Sequence, residues 1–322
     1  MVRKLARDSL TSKLAAARAM ATEARANDDD LGAMQFAYLI NEVQADVERV
    51  GAAPENLASV ALFFGGAAVL GSIGVKAEFA GKAIEDFQDL VAKSHATAEL
   101  GEIARMGRVP RKSSSELMVT DVVKGSFGFV LEEAAEYEPT AQTSLVETVE
   151  HVTVLVDQLA SQDEERFEEA IQNLDARVLG AARDFFKTLE NADASVRIVE
   201  GEKDVSIGRA DVRRAFARTS TLEVEEREDE IMDGRLYVLP VGKRFEFRLY
   251  PAGVTISGGV SSAVASALET DNQLFDNPVG KYWRAQFKVR EVRRRNLPVK
   301  FYYTLTGLLQ EIHVVEEPRQ DT

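Results

Sequence analysis

The chain has 322 residues, of which 45% are hydrophobic and 29% are charged, and this composition predicts a folded protein of two or three domains. It contains no cysteine, which excludes disulfide bonds, thiolate metal sites and a cysteine nucleophile, and favours a reducing compartment that we take to be a bacterial cytoplasm. Its net charge of −14 disfavours nucleic acid as a partner except where basic side chains are concentrated locally.

The N-terminus is predicted to form two helices. Residues 3–27 are rich in Ala, Leu, Lys and Arg, and apolar residues at helical spacing continue from Leu31 to about Val50. The stretch 1–27 carries six basic and two acidic side chains. We expect the first helix to be exposed or to contact a second copy of the chain in a homo-oligomer. Residues 1–54 are assigned to this N-terminal helical segment.

An uncharged run from residue 56 to residue 75 is long enough for a transmembrane helix. Gly65 and Gly66 interrupt it, however, and two glycines between apolar runs are typical of a β-hairpin. The sequence therefore predicts strands at Leu57–Phe64 and Ala67–Phe79, and a membrane span is disfavoured.

A short phrase, Gly-Ser-apolar-Gly-apolar, occurs twice, beginning at Gly71 and at Gly125. Glycines three residues apart before an apolar run indicate bends or bulges near strands, so we interpret the phrase as structural. The alternative is a ligand site or an enzyme of unfamiliar type, which would use Ser72, Ser126, Glu78 and Glu132. It is the least supported reading, and no catalytic residue is assigned.

The remainder of residues 55–220 alternates helical and strand patterns, which predicts an α+β domain with a hairpin-rich sheet covered by helices. Its elements are predicted as a helix at Ala80–Ala98, a hairpin turning at Lys124-Gly125, helices at Thr140–Ala160 and after Ser161, strands at Val196–Val199 and Val205–Ile207, and a helix at Ala210–Arg218.

A loop at Gly101–Ser115 combines basic side chains with serine hydroxyls, a set of donors that suits an anion. It lacks the spacing of a nucleotide-binding phosphate loop. The alternative is an ordinary surface loop without a ligand. The predicted anion-binding residues are Arg105, Arg108, Arg111 and Lys112.

Composition shifts at the acidic stretch Thr219–Glu230, which we take as the link to a C-terminal domain at residues 221–322. Three strands, a short helix and two long strands follow, which is the element order of an OB-like barrel, with an SH3-like barrel as the alternative. The predicted elements are Arg235–Leu239, Arg244–Tyr250, Val254–Gly258, the helix Ser261–Leu268, Tyr282–Val292 and Val299–Leu305.

The fourth barrel strand alternates apolar residues with basic ones, so one face is predicted to be core and the other basic. Residues 281–300 carry eight basic side chains and one acidic one. A basic strand face next to a tyrosine suits single-stranded nucleic acid or a protein partner, whereas a solvated face or one docked on the acidic first domain is the alternative. The predicted contact residues are Arg284, Lys288, Arg290, Arg293, Arg294, Arg295, Lys300 and Tyr302.

No enzyme motif is present. The three histidines, His95, His151 and His313, lack metal-ligand spacing, so neither a metal nor a cofactor is predicted. The sequence favours a cytoplasmic binding protein that acts through its C-terminal barrel. The alternative is a scaffold subunit that associates with itself through its helices.

Overall fold

The computed structural model describes residues 2–52, 56–100, 107–110, 112–123, 127–135, 139–172, 174–239, 244–270, 279–295 and 297–313. The chain divides into two compact units, Met1–Ser220 and Thr221–Thr322. The predicted α+β class is confirmed, because a helix-covered sheet forms in the first unit and a closed five-stranded barrel in the second. None of the helices in the described ranges is both long enough and apolar enough to cross a membrane.

The first unit begins with helices and continues with a mixture of strands and helices. Its helices are α1 (Arg3–Ala26), α2 (Asp30–Ala52), α3 (Ala77–Leu100), α4 (Ser144–Ala160), α5 (Glu164–Gln172), α6 (Ala176–Asn191) and α7 (Arg209–Ser220). Its strands are β1 (Ser59–Gly66), β2 (Val69–Leu70), β3 (Gly74–Val75), β4 (Leu117–Val123), β5 (Gly128–Glu133), β6 (Ala194–Glu200) and β7 (Lys203–Ile207). A 3₁₀ turn at Lys112–Ser115 precedes β4.

The sheet of the first unit is antiparallel, in the order β4-β5-β1-β6-β7. Its central strand β1 is buried continuously from Val60 to Phe64. Helices α4 and α6 pack on one face of the sheet, and Val2, just before α1, packs with Ala61 and Phe63 on the other face. A strand covered on both faces needs apolar residues at successive positions, which is why β1 reads as an unbroken apolar run.

The predicted strand Ala67–Phe79 is wrong. The chain forms only the two-residue strands β2 and β3 around Gly71, whose φ is +52°, and then enters α3. Strand β1 pairs instead with the distant strands β5 and β6. At Gly66, whose φ is +95°, a side chain would collide with the backbone carbonyl of Asp193. The two glycines therefore mark a close approach of β6 and not a tight hairpin.

The second copy of the Gly-Ser phrase also serves packing. Gly128 opens β5, and any Cβ at that position would overlap the ring of Phe63 in β1. Residues 124–126, the predicted turn, lie outside the described ranges.

Helix α1 is fastened to the β6–β7 hairpin by ion pairs. Lys4 lies 2.9 Å from Asp204, and Arg7 lies 2.7 Å from Glu202. Arg197 in β6 makes two hydrogen bonds of 2.7 Å to the same Asp204 carboxylate. Part of the positive charge of α1 is thus used within the chain itself.

Replacing Asp204 with Asn is expected to lower the stability of the first unit by about 1 kcal/mol near neutral pH. Hydrogen bonds from Arg197, with a further contribution from Lys4, hold the pKa of Asp204 well below its ordinary value of 3.8. Because the native pKa is depressed, the stabilisation is complete above about pH 4 and is lost as the pH falls toward the native value. The difference between variant and parent should therefore shrink as the pH is lowered below about 4.

Urea denaturation followed by the far-ultraviolet helix signal measures this effect, since α1 to α7 all lie in the first unit. Asp157→Asn is the matched control, because Asp157 holds the single exposed cation Arg166 at 2.8 Å. A difference between Asp204→Asn and the parent chain that does not vary with pH would contradict the expectation.

The second unit is a barrel whose strand order is β8-β9-β10-β12-β11, closing back onto β8. Strands β10 and β12 pair in parallel and the other neighbours are antiparallel. This order, with a helix after the third strand, is that of an OB-fold barrel and confirms the predicted OB-like architecture. The elements are β8 (Leu222–Leu239), β9 (Arg244–Leu249), β10 (Thr255–Val260), α8 (Ser262–Thr270), β11 (Tyr282–Arg294) and β12 (Lys300–Glu311).

The interpretation of Thr219–Glu230 as a link is wrong, because β8 begins at Leu222 and runs through the acidic stretch. Its first half pairs with the basic end of β11, so that Glu226 lies opposite Arg290 and Glu223 opposite Arg293. Opposite charges on facing strand positions attract. A run of carboxylates that looks like solvated linker in the sequence is therefore a strand whose partner is basic.

Candidate functional site

The alternation predicted for β11 is present in the structure. Trp283, Ala285, Phe287 and Val289 are buried in the barrel core, where the Phe287 ring contacts those of Phe245 and Phe247. Arg284 lies on the opposite face of the strand and is exposed. Arg284 and Lys288 therefore lie on the outer surface of the barrel wall, whereas Arg290 on the same face is buried.

Several of these cations already form ion pairs with carboxylates of the same unit. Arg284 donates two hydrogen bonds, of 2.9 and 2.8 Å, to Asp233 in β8. Arg293 lies 2.7 Å from Glu291. Such pairs offer less positive potential to an incoming polyanion than unpaired cations would.

Lys288 and Arg290 share one carboxylate, that of Glu226, at 3.4 and 3.6 Å. Arg290 is only 6% exposed. Burial, and after it the nearby Arg290 charge, lowers the pKa of Lys288 to about 8. Neither side chain is well placed to meet a phosphate from solvent.

The remaining predicted residues lie at the end of β11, in the turn that follows it and at the start of β12. Arg295 and Lys300 are exposed, whereas Arg294 and Tyr302 are half-buried. The turn follows the fourth barrel strand, and in OB folds that turn and the face of the second and third strands are a common ligand surface. Here the second and third strands are β9 and β10.

The outer faces of β8, β9 and β10 form a first row of side chains across the barrel. Arg235 in β8 pairs with Arg248 in β9, which pairs with Thr255 in β10. The parallel pairing of β10 with β12 begins at Gly258 and Tyr303, and Lys300 lies three residues before Tyr303 in β12. With strands about 4.8 Å apart, the row of Arg235, Arg248 and Thr255 spans roughly 10 Å.

The next row, two residues along each strand, contains the aromatic side chains. Tyr237 lies opposite Glu246, which lies opposite Ser257, and Tyr302 directly precedes Tyr303, where the β10–β12 pairing begins. Arg244, a further two residues along β9, is exposed beyond them. We call this surface the barrel platform; its members are Arg235, Tyr237, Arg244, Arg248, Lys300 and Tyr302.

The cations of β9 differ from those of β11 in their surroundings. Arg244 and Arg248 are exposed, and neither forms an ion pair with any other residue of the described ranges. Arg235 is held in place, because its Nε donates a 2.6 Å hydrogen bond to the carbonyl of Gly280 and its guanidinium lies 5.8 Å from the Tyr237 ring. Tyr237 is 39% exposed. The platform thus combines available positive charge with an accessible ring.

Sequence reasoning found Lys300 and Tyr302 but missed Tyr237, Arg244 and Arg248. The signal was present, since the order Arg-Phe-Glu-Phe-Arg from Arg244 to Arg248 alternates outward and inward positions. Sequence did not show which strands would be neighbours, and without that the outward residues of β8, β9 and β12 cannot be joined into one surface.

Charge is distributed unevenly between the two units. The barrel unit carries 14 basic and 16 acidic residues, whereas the first unit carries 25 basic and 37 acidic residues. Most of the negative charge that disfavours nucleic acid therefore belongs to the first unit. The barrel by itself is close to neutral, with its acidic residues concentrated in the first half of β8.

Of the predicted anion-binding loop, Arg108 and Lys112 line a cleft of about 710 Å³ together with Lys93 and Arg177. Arg105 and Arg111 lie outside the described residues. The cleft belongs to the first unit and is a second candidate site, separate from the barrel platform.

The least supported alternative, an enzyme site around the repeated phrase, gains nothing from the structure. Ser72 is exposed at the β2–β3 turn, and Glu78 is exposed in the first turn of α3. Glu132 in β5 accepts a hydrogen bond of 3.4 Å from Ser59, and Ser126 lies outside the described ranges. In the parts of the chain that the structure describes, no cluster of three or more His, Cys, Asp or Glu could hold a metal ion.

Comparison with known proteins adds no further constraint. No protein-family model, curated protein or solved structure matches the chain.

Proposed function

We propose that the chain is a non-enzymatic binding protein whose barrel platform binds single-stranded nucleic acid. The observation that supports the proposal is the facing pair Arg235 and Arg248 beside the exposed ring of Tyr237, with Lys300 and Tyr302 at the start of β12 in the same barrel. Cations that track a phosphate backbone next to rings on which bases stack are the shared features of proteins that bind single strands without sequence preference.

The chemistry explains why single strands are favoured over a duplex. Stacking on Tyr237 needs a base with an accessible face, which a paired duplex does not present along its length. Among the residues that the structure describes, the platform side chains all lie on strands of the barrel wall, whereas a helix or a two-stranded ribbon is the element that enters the major groove. Such contacts depend on the phosphate charge and on the flat faces of the bases, which all nucleotides share, so little sequence preference is expected.

The proposal differs from the sequence-based hypothesis in where the nucleic acid lies. Arg284, Lys288, Arg290 and Arg293 of β11 are paired with carboxylates, so they form an edge of the surface at most. Arg295 and Lys300 at the β11–β12 turn stay within it. A bacterial cytoplasm is part of the proposal, and the absence of cysteine agrees with a reducing compartment.

Fluorescence anisotropy with a labelled oligo(dT) strand, titrated at several salt concentrations, tests the proposal. With three or four phosphates neutralised, log K should fall with log salt at a slope of about −2 to −3, since each contact on a single strand contributes about −0.7. Absence of binding at about 50 mM salt, or equal affinity for a duplex of the same length, would overturn it, and a platform that instead binds an acidic protein would be a different function.

A second candidate function is self-association through the helical pair α1 and α2. On α2, Leu31, Met34 and Tyr38 are 69%, 72% and 73% exposed and lie three and four residues apart, which puts them on one side of the helix. We propose that a second copy of the chain covers this stripe. Charge supports that choice, because α1 exposes Lys13, Arg18 and Arg25 whereas α2 exposes Asp30, Glu42 and Glu48.

Replacing both Met34 and Tyr38 with Glu is expected to convert an oligomer into a monomer, because it places two charges in an apolar contact. Multi-angle light scattering after size-exclusion chromatography measures the mass. Gln44→Glu, an exposed change on the same helix, is the control and should leave the mass unchanged. Deleting residues 1–27 is a poorer test, because it would also uncover the sheet face on which Val2 packs. A parent chain that is monomeric at high concentration would rule out this candidate.

A further inference from the structure

A cleft of about 710 Å³ opens in the first unit beside α3, the 3₁₀ turn before β4, and the start of α6. Its volume lies in the range of small-molecule sites. Four cations and one hydroxyl line it, contributed by Lys93 of α3, Arg177 of α6, and Arg108, Lys112 and Ser113 of the segment between them. Two carboxylates, Asp89 and Glu116, complete the polar wall.

The segment that carries Arg108 and Lys112 is anchored to the helices at both ends. Arg177 donates a 2.8 Å hydrogen bond to the carbonyl of Gly107. Gln88 of α3 binds the other end, since its Nε2 donates to the Ser115 carbonyl at 2.7 Å and its Oε1 accepts from the Leu117 amide at 2.9 Å. Exposed cations of a loose loop would separate in solution, but here the backbone keeps them at one cleft.

The cations of the cleft differ in how they are neutralised. Lys93 lies 2.6 Å from Asp89. Arg108 and Lys112, in contrast, make no ion pair with any residue in the described part of the chain. The cleft lining holds four cations against two carboxylates, so it has an excess of positive charge that an anion bound beside Arg108 and Lys112 would offset.

The lining also constrains the rest of the ligand. Among the described residues that line the cleft, only Val109 has an apolar side chain of any size, and none has an aromatic ring. A nucleobase would find no stacking partner there. The Glu116 carboxylate and the Ser113 hydroxyl are instead suited to accept hydrogen bonds from hydroxyl groups.

We propose that this cleft binds a small phosphorylated sugar. Its phosphate contacts Arg108 and Lys112, and its hydroxyl groups contact Glu116 and Ser113. Gln88 is a positioning residue that holds the basic segment in place. The site belongs to the first unit and does not depend on the function proposed for the barrel.

Isothermal titration of the full chain with ribose 5-phosphate, in a phosphate-free buffer of low ionic strength, tests the proposal. Ribose 5-phosphate is expected to bind more tightly than inorganic phosphate, and ribose is expected not to bind. The double variant Arg108→Ala, Lys112→Ala should weaken binding roughly tenfold or more, because two charge-assisted hydrogen bonds are removed.

Two further variants make the outcome decisive. Arg166→Ala removes a cation of the same unit that is paired elsewhere with Asp157, and it should bind like the parent chain. Gln88→Ala keeps every cation but releases the segment, so it should weaken binding while the far-ultraviolet spectrum is unchanged. The proposal is overturned if ribose 5-phosphate produces no binding heat, if it binds no more tightly than inorganic phosphate, or if the double variant binds as the parent does.

Discussion

Gly258→Ala is expected to destabilise the barrel unit by roughly 3 kcal/mol or more, whereas Gly259→Ala is expected to change its stability by less than about 1 kcal/mol. Both glycines lie in β10, where it pairs in parallel with β12 and closes the barrel. A Cβ at Gly258 would overlap the backbone carbonyl of Tyr303, which cannot turn aside as a side chain could. A Cβ at Gly259 would meet nothing within 4 Å.

Tryptophan fluorescence measures this effect without interference from the first unit. The chain has a single tryptophan, Trp283, which is buried in the barrel core. Its emission should shift on unfolding, so urea titration gives the stability of the barrel alone. Equal stabilities of the Gly258→Ala and Gly259→Ala variants would show that the seam between β10 and β12 is looser than described.

The second large effect is expected on binding to the barrel platform. Replacing both Arg244 and Arg248 with Ala should weaken the affinity for oligo(dT) on the order of 50-fold at about 50 mM salt, and should reduce the slope of log K against log salt by about 1.4. Replacing Tyr237 with Ala should cost about 1 to 3 kcal/mol for the lost stacking of one base, and should leave the salt slope unchanged. The contributions of charge and of base stacking to the affinity can therefore be separated in one series of salt titrations.

Arg284→Ala is the matched control for a single platform variant, Arg248→Ala. Each substitution removes one exposed positive charge from the barrel, but Arg284 is already paired with Asp233. If the nucleic acid lies on the platform, Arg248→Ala should weaken binding several-fold more than Arg284→Ala. The reverse order would favour the β11 face predicted from sequence, and equal losses would indicate attraction to net charge without a defined site.

Elements with a long, regular pattern could be predicted from the sequence. Helix α4 was found from its valine spacing, and the order of the barrel elements from the alternation in β9 and β11. The prediction of a strand at Ala67–Phe79 was wrong. An apolar segment that contains glycines has no clear periodicity, so its pattern does not distinguish one long strand from a short ribbon followed by a helix. At Gly66 the decisive constraint comes from Asp193, more than a hundred residues away, and no local pattern contains it.

The candidate site was predictable only in part, for a related reason. Alternation correctly placed Arg284 and Lys300 on the outside of the barrel. It could not show that Glu226, in the stretch interpreted as a linker, and Asp233, just beyond it, lie opposite β11 and pair with its cations. The local density of basic residues in the sequence therefore overstated how available the β11 cations are. It understated the availability of the two β9 cations, Arg244 and Arg248, which have no carboxylate partner among the described residues.

The acidic first half of β8 has a consequence for how the barrel is made during translation. Strand β8 is synthesised before β11, and until β11 emerges its 18 residues have no partner on that edge. A long unpaired strand is a template for aggregation, and repeated charges on it oppose pairing with another copy. The glutamates of β8 repel the β8 of any neighbouring nascent chain and attract only a basic strand. When Arg290 and Arg293 of β11 are synthesised, the glutamates that repelled other copies of β8 attract them and align β8 with β11. This alignment matters because a slip of one residue would turn the core side chains of β11 toward solvent.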